Sequence, residues 1–175
     1  MFCTAERSLI VKTLVLPPLA GALFFVWATS AFPADKVSQV FIRDAIQINL
    51  AEIQQAQLAE ENAQSADVKS FAKMLITDLT TINEQATKLA EQIGVAVPTD
   101  LSNTQRAIYH QMEKLSGAAF DRPFVRVVVA DHKMNIPRYQ NEAKKNNDPV
   151  ADFANQTLPT LMKHLDAAQR LQSEP

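Results

Sequence analysis

The chain has 175 residues, with 17 Lys and Arg against 19 Asp and Glu, a formal net charge of −2. So mild a balance excludes nucleic acid as the main partner, because phosphate binding needs a concentrated basic surface. One cysteine, few glycines and no run of alternating β-branched residues point to an all-α protein without a disulfide.

The first elements in chain order belong to export. Arg7 and Lys12 give a positive start, Thr13 to Trp27 is apolar, and the small residues Ala28, Thr29, Ser30 and Ala31 follow. This order predicts a secretory signal peptide over residues 1–31, cleaved after Ala31. A retained anchor fits less well, since the apolar run contains Pro17-Pro18 and falls short of the roughly 20 residues of a span. Cys3 precedes the apolar run, so it is not placed for lipid attachment, and cleavage leaves no thiol. Residues 32–175 then form a single helical-bundle domain, with a periplasmic location.

Helix one is expected from about Asp35 to Asn62, with Ile42, Ile46, Asn49, Ile53 and Ala56 repeating at three and four residues. Ser65 caps helix two, whose stripe runs Val68, Phe71, Leu75, Leu79, Ile82, Ala86, Leu89, Ile93 and stops at Gly94. A short helix spans roughly Asp100 to Ser116. Asp121 is expected to cap the next long helix, with Pro123 in its first turn and Phe124, Val128, His132, Ile136 and Tyr139 on its inner face. Asp148-Pro149 starts the last helix, where Val150, Ala154, Thr157, Leu161, His164 and Ala168 alternate by four and three. Four long helices and one short connector predict a four-helix bundle of two antiparallel hairpins.

Rulers laid along these hairpins single out four side chains. His132 and His164 lie at matching distances from the turn at Asn147, and each falls on the apolar face of its helix. Glu52 and Asp78 are likewise level about the turn at Ser65, roughly 18–20 Å from it by helical rise. With both turns at one end, the carboxylates come within a turn of the imidazoles. Two imidazoles and two carboxylates are a candidate site for zinc, copper or iron. The bland alternatives are buried neutral imidazoles bonded to carbonyls or to Asp131, and flank carboxylates in ion pairs or water. Asp78 competes with Leu79 for the inward direction, and Glu52 sits on the edge of its stripe. A pH-sensitive pair is a third reading. His110, on the short helix, reads as exposed. Pro137 and Pro159 interrupt their helices at matching heights, either to let the hairpin curve or to widen the bundle beside the histidines.

Phe41, Ala45, Glu52, Leu58-Ala59, Val68, Phe71-Ala72, Met74, Asp78, Phe120-Asp121, Asp131-His132, Leu158-Pro159 and His164-Leu165 resemble, in order and spacing, the exported bacterial family called domain of unknown function 4142. The resemblance covers about Val40 to Leu171. It implies a ferritin-like bundle, and family members carry an outer-membrane label. Where the family has Asp-His in helix two, this chain has Asp78-Leu79, so a third histidine is missing. The di-iron arrangement also fails on its own terms, because Glu-x-x-His is absent: Val129 and Leu161 stand three residues before the histidines.

No nucleophile with a base, phosphate loop, dinucleotide fingerprint or zinc-protease motif is present, which favours a non-enzymatic envelope binding or stress-related module. A degenerate metal-binding bundle on His132, His164, Asp78 and Glu52 is the second reading. The third is an anion-binding protein that meets an envelope component through the basic stripe Arg122, Arg126 and Lys133, continued by Arg138, Lys144 and Lys145. An oligomer is compatible with all three.

Overall fold

The computed structural model describes residues 34–173, so the expected signal peptide, its cleavage point and Cys3 lie outside the described residues. Five helices follow in order: α1 Lys36–Asn62, α2 Ala66–Gln92, α3 Asn103–Met112, α4 Ala118–Glu142 and α5 Pro149–Ser173. No strand occurs among the described residues. The all-α class stands.

Local chemistry accounts for most boundaries. Asp35 caps α1 by accepting from Ser38 N at 2.8 Å, and Ser65 caps α2 by accepting from Val68 N. Such caps contribute about 1 kcal/mol each. Gly94 ends α2 at φ +72°, a left-handed conformation that a side chain would strain. Asp148 starts α5, its Oδ1 accepting from Val150 N at 2.8 Å.

Two starts differ from expectation. α3 begins at Asn103 rather than Asp100, because Ser102 and Gln105 form a reciprocal capping box, while the Asp100 carboxylate is taken by Leu101 N and Arg106. α4 begins three residues before Asp121, at Ala118, after Gly117 at φ +62°. Asp121 therefore does not cap its own helix. Its two oxygens accept from Gln64 N at 3.0 Å and Ser65 N at 2.9 Å, fastening the α1–α2 turn to the first turn of α4. Gly117 N and Ala118 N complete the clasp, donating to Asn62 O and Gln64 Oε1.

The packing order follows. α1 pairs with α2 and α4 with α5, and the hairpins meet through α2 on α5 and α1 on α4. The clasp sets the end of α1 beside the start of α4. At the opposite end, Ser38 near the start of α1 donates to Glu142 at the end of α4, and also lies 2.7 Å from Asp148 Oδ2. Lys145 closes that cluster, 3.0 Å from Glu142 Oε2 and 3.2 Å from Asp35 Oδ2. Burial disfavours the Lys145 ammonium, but Glu142 and Asp35 outweigh it and hold its pKa above the usual lysine value. The two hairpin turns thus lie at opposite ends, not at one end. The chain returns along the bundle between α2 and α4, with α3 on the way tied to α1 by Gln105 Nε2 donating to Gln47 O.

The core between these helices contains Ile42, Ile46, Leu75, Leu79, Phe120, Phe124, Val128 and Val150, all essentially without exposure. Each removes enough apolar surface to stabilise the fold by about 1.5–3 kcal/mol. The helical interior also buries Asn49, Glu52, Gln55, His132 and His164. Pro137 and Pro159 interrupt α4 and α5 as expected, yet both rings are exposed. The carbonyls they release, of Lys133 and Asn155, belong to exposed residues of the same outer faces.

Candidate functional site: a chain of two carboxylates and two imidazoles

Each long helix contributes one member from near its middle. Glu52 comes from α1, Asp78 from α2, His132 from α4 and His164 from α5. Mid-height placement explains why they converge even though the hairpin turns point in opposite directions. A residue halfway along a helix stays level with its neighbours whichever way the helix runs.

The four groups form a line. His132 Nδ1 lies 3.2 Å from Glu52 Oε1 and 3.1 Å from the Val128 carbonyl one turn back on α4. Only the carbonyl is aligned with the ring N–H, so Nδ1 donates there, and Glu52 Oε1 is left a buried acceptor facing the ring without a hydrogen bond. His132 Nε2 faces His164 Nδ1 at 3.4 Å, the rings meeting edge to face with centroids 5.5 Å apart. His164 Nε2 donates to Asp78 Oδ2 at 2.9 Å, and Lys163 Nζ stands 3.5 Å from the same oxygen.

Both histidines and Glu52 are buried, whereas the Asp78 side chain keeps 27% of its exposure. The line therefore runs from a closed interior to an opening between α2 and α5, a groove of about 310 Å3 lined by Asp78 and the neutral side chains of Thr81, Gln85, Gln156 and Thr160. At the closed end a void of about 20 Å3 borders Asn49, Glu52, His132 and Tyr139, room for one water molecule. Asn49 Nδ2 is a second buried group there without a protein partner.

Hydrogen counting defines what this line holds. His132 Nδ1 faces acceptors only, and so does His164 Nε2, so each carries a hydrogen. Two neutral imidazoles have those two hydrogens and no others. The inner nitrogens would then oppose two lone pairs at 3.4 Å. One additional proton removes the conflict, placed on His132 Nε2 and donated to His164 Nδ1. The electrostatics assign it the same way. Burial disfavours charge on both rings, but at His132 the Glu52 carboxylate, the Val128 carbonyl and Asp131 outweigh it and raise the pKa above the usual histidine value. At His164 burial prevails, joined by the His132 charge, and the pKa is lowered despite the bond to Asp78. Asp78 itself is held below the usual carboxylate value: its burial is outweighed by the hydrogen bond and charge of His164 and by Lys163.

Asp131, which the residues mark only as a possible partner of the imidazoles, adds a further ionisable group beside the line. Burial, and then repulsion from Glu52, push its pKa up to about 6, partly offset by His132. Because the folded value exceeds the unfolded one, ionised Asp131 opposes folding above pH 6, and that cost disappears toward pH 4. Asp131→Asn is expected to stabilise the protein at pH 8 by about 1–2 kcal/mol after solvent screening, with the gain vanishing near pH 4. Urea unfolding at the two pH values checks it; an equal effect at both contradicts the assignment.

Leu79 takes the inward direction with no exposure, and Asp78 reaches His164 from the side of α2. Glu52 lies on the edge of its stripe, yet that edge is buried against α4. His110 is exposed on α3 and pairs with Glu113 at 2.9 Å. Of the basic stripe, Arg138 binds Asp44 at 2.9 Å and Lys145 belongs to the Ser38 cluster. Among the described residues no three His, Cys, Asp or Glu side chains form a metal-ligand cluster. The four donors lie along a line rather than around one point, with His132 Nε2 and His164 Nδ1 facing each other at its middle.

No curated protein and no solved structure matches the chain. The family described as a domain of unknown function, DUF4142, matches residues 28–171, the whole helical region apart from its last two residues, and the chain belongs to that family.

Proposed function

We propose that the protein is an exported, non-enzymatic bundle of ferritin-like four-helix type that responds to acidity through the Glu52–His132–His164–Asp78 line, an envelope stress module. The single observation that carries this reading is the hydrogen count across His132 and His164: the pair is satisfied only when it holds one proton beyond the neutral state. The signal-peptide pattern of residues 1–31 supports export. The packing order supports the ferritin-like type, since one long return between α2 and α4 joins two hairpins whose turns lie at opposite ends.

Energetics favour a working role over a stabilising one. Each buried ion costs several kcal/mol in lost hydration, and apolar residues of similar size would fill the same space without that cost. A proton shared between two imidazoles and flanked by two carboxylates is a charge that pH can remove. Asp78 gives it a route to solvent.

The test uses protein recovered from the periplasmic fraction of cells expressing the full chain, with 15N-labelled histidine followed by NMR from pH 5 to 9. His132 is expected to remain imidazolium beyond the usual histidine value near 6.5, while His164 is neutral at pH 7. Two neutral rings at pH 7 overturn the reading. So does one equivalent of zinc, copper or iron copurifying with the protein and lost together with His132, which would establish the metal-binding alternative. Recovery from the cytosol with residues 1–31 intact removes the export part.

A further inference from the structure

At the clasp end of the bundle, away from the histidines, an open cleft of about 620 Å3 lies between the starts of α2 and α4 and the last turn of α5. Its volume is in the range of small-molecule sites. Val68 and Val125, both nearly fully buried, give it an apolar floor that Leu171 extends from α5. Arg122 and Arg126 stand on its wall, four residues apart and therefore one above the other on a single face of α4. Both are exposed, and neither forms an ion pair among the described residues. The one carboxylate among the described residues that line the cleft, Asp121, is already occupied by Gln64 N and Ser65 N. Two guanidiniums a turn apart match the oxygens of one carboxylate or phosphate monoester, and the floor beside them suits a hydrocarbon chain.

We propose that this cleft binds a single-chain amphipathic anion of the fatty-acid kind, its head group between Arg122 and Arg126 and its chain over Val68, Val125 and Leu171. A bilayer surface is a poorer occupant for two reasons. The cleft is concave, and the chain as a whole is anionic, with a net charge of −2. Two other cations of the stripe are committed elsewhere: Arg138 on α4 to Asp44, and Lys145, past the end of α4, to Glu142 and Asp35. Lys133, the third member of the basic stripe, does not line the cleft.

Calorimetric titration of the protein, recovered after expression of the full chain, uses dodecanoate below its micelle concentration. Dodecyltrimethylammonium serves as the same tail with the opposite charge, and vesicles of phosphatidylcholine and phosphatidylglycerol as the membrane arm. Dodecanoate is expected to bind one per chain and the ammonium analogue at least about tenfold more weakly. Arg122→Gln/Arg126→Gln should weaken dodecanoate binding about tenfold or more while the melting temperature stays unchanged, and Lys133→Gln should leave it as it is. Leu171→Ser tests the apolar part and should weaken both ligands. No binding, equal binding of the two head groups, equal loss with Lys133→Gln, or attachment to anionic vesicles alone overturns the proposal.

Discussion

His164→Leu is expected to lower the free energy of unfolding by about 3–5 kcal/mol at pH 6, the range found when one partner of a buried charged pair is removed. The loss has identifiable parts. His132 Nε2 loses its only partner, the Asp78 carboxylate loses the bond at 2.9 Å, and the proton held between the rings becomes a buried charge without an acceptor. Leucine itself fits the position well, since Leu161 and Ala168 already face the core from α5. The cost is therefore electrostatic rather than steric. A second variant separates the two. In Glu52→Gln/His132→Leu/His164→Leu the buried charges are removed together, and stability is expected to return to within about 1 kcal/mol of the parent or to exceed it. Urea unfolding followed by circular dichroism measures both. A cost below 1 kcal/mol for His164→Leu alone would mean that no charge resides between the rings, and a triple variant worse than the single one would make the cost one of shape.

Glu52→Gln is expected to change the pH dependence of stability more than its magnitude at any one pH. His132 has a folded pKa raised above the unfolded value near 6.5, so its contribution is fully present below pH 6.5 and is lost as pH rises through the folded value. Burial opposes that rise, and Glu52 is the strongest group supporting it. Without the carboxylate, burial prevails and the folded pKa falls below 6.5. The variant should then be less stable than the parent by about 1–3 kcal/mol at pH 5.5 and equal to it or slightly more stable at pH 9, where glutamine replaces a buried carboxylate without a hydrogen bond. The two stability curves cross. Parallel curves would show that Glu52 does not govern the charge on His132. His164 works in the opposite sense: its lowered pKa makes acid destabilising as pH falls below 6.5, and this sets the lower edge of the window in which the line holds its proton.

Much of this arrangement is legible in the residues. Spacing alone places Glu52, Asp78, His132 and His164 near the middles of four long helices, and middles meet. The same reading assumes both turns at one end, which is wrong, and the level match survives because mid-height does not depend on direction. Asp121 shows the complementary failure. An aspartate ahead of an apolar stripe has the pattern of an N-cap, but Gly117 and the Asn62 carbonyl start the helix earlier, and Asp121 acts across the bundle instead. The raised pKa of Asp131 was not legible either, because it depends first on burial and then on Glu52, which is remote in sequence and near only after folding. The Ser38–Glu142–Asp148 cluster has the same character, joining residues more than a hundred positions apart.

What the sequence determined by itself is local or periodic: an all-α chain, the lengths of its long helices, most of their caps, the inward faces, the interrupted turns at Pro137 and Pro159, and the four side chains worth watching. These follow from repeats of three and four residues and from the chemistry of single boundary residues. What only the tertiary structure decided is relational. It set the opposite ends of the two turns, the linear rather than clustered order of the four donors, the facing of His132 Nε2 and His164 Nδ1, and the cleft that gives Arg122 and Arg126 an apolar neighbour. Each depends on distances between helices, and a periodic pattern carries no information about which faces meet or about how close two buried nitrogens come.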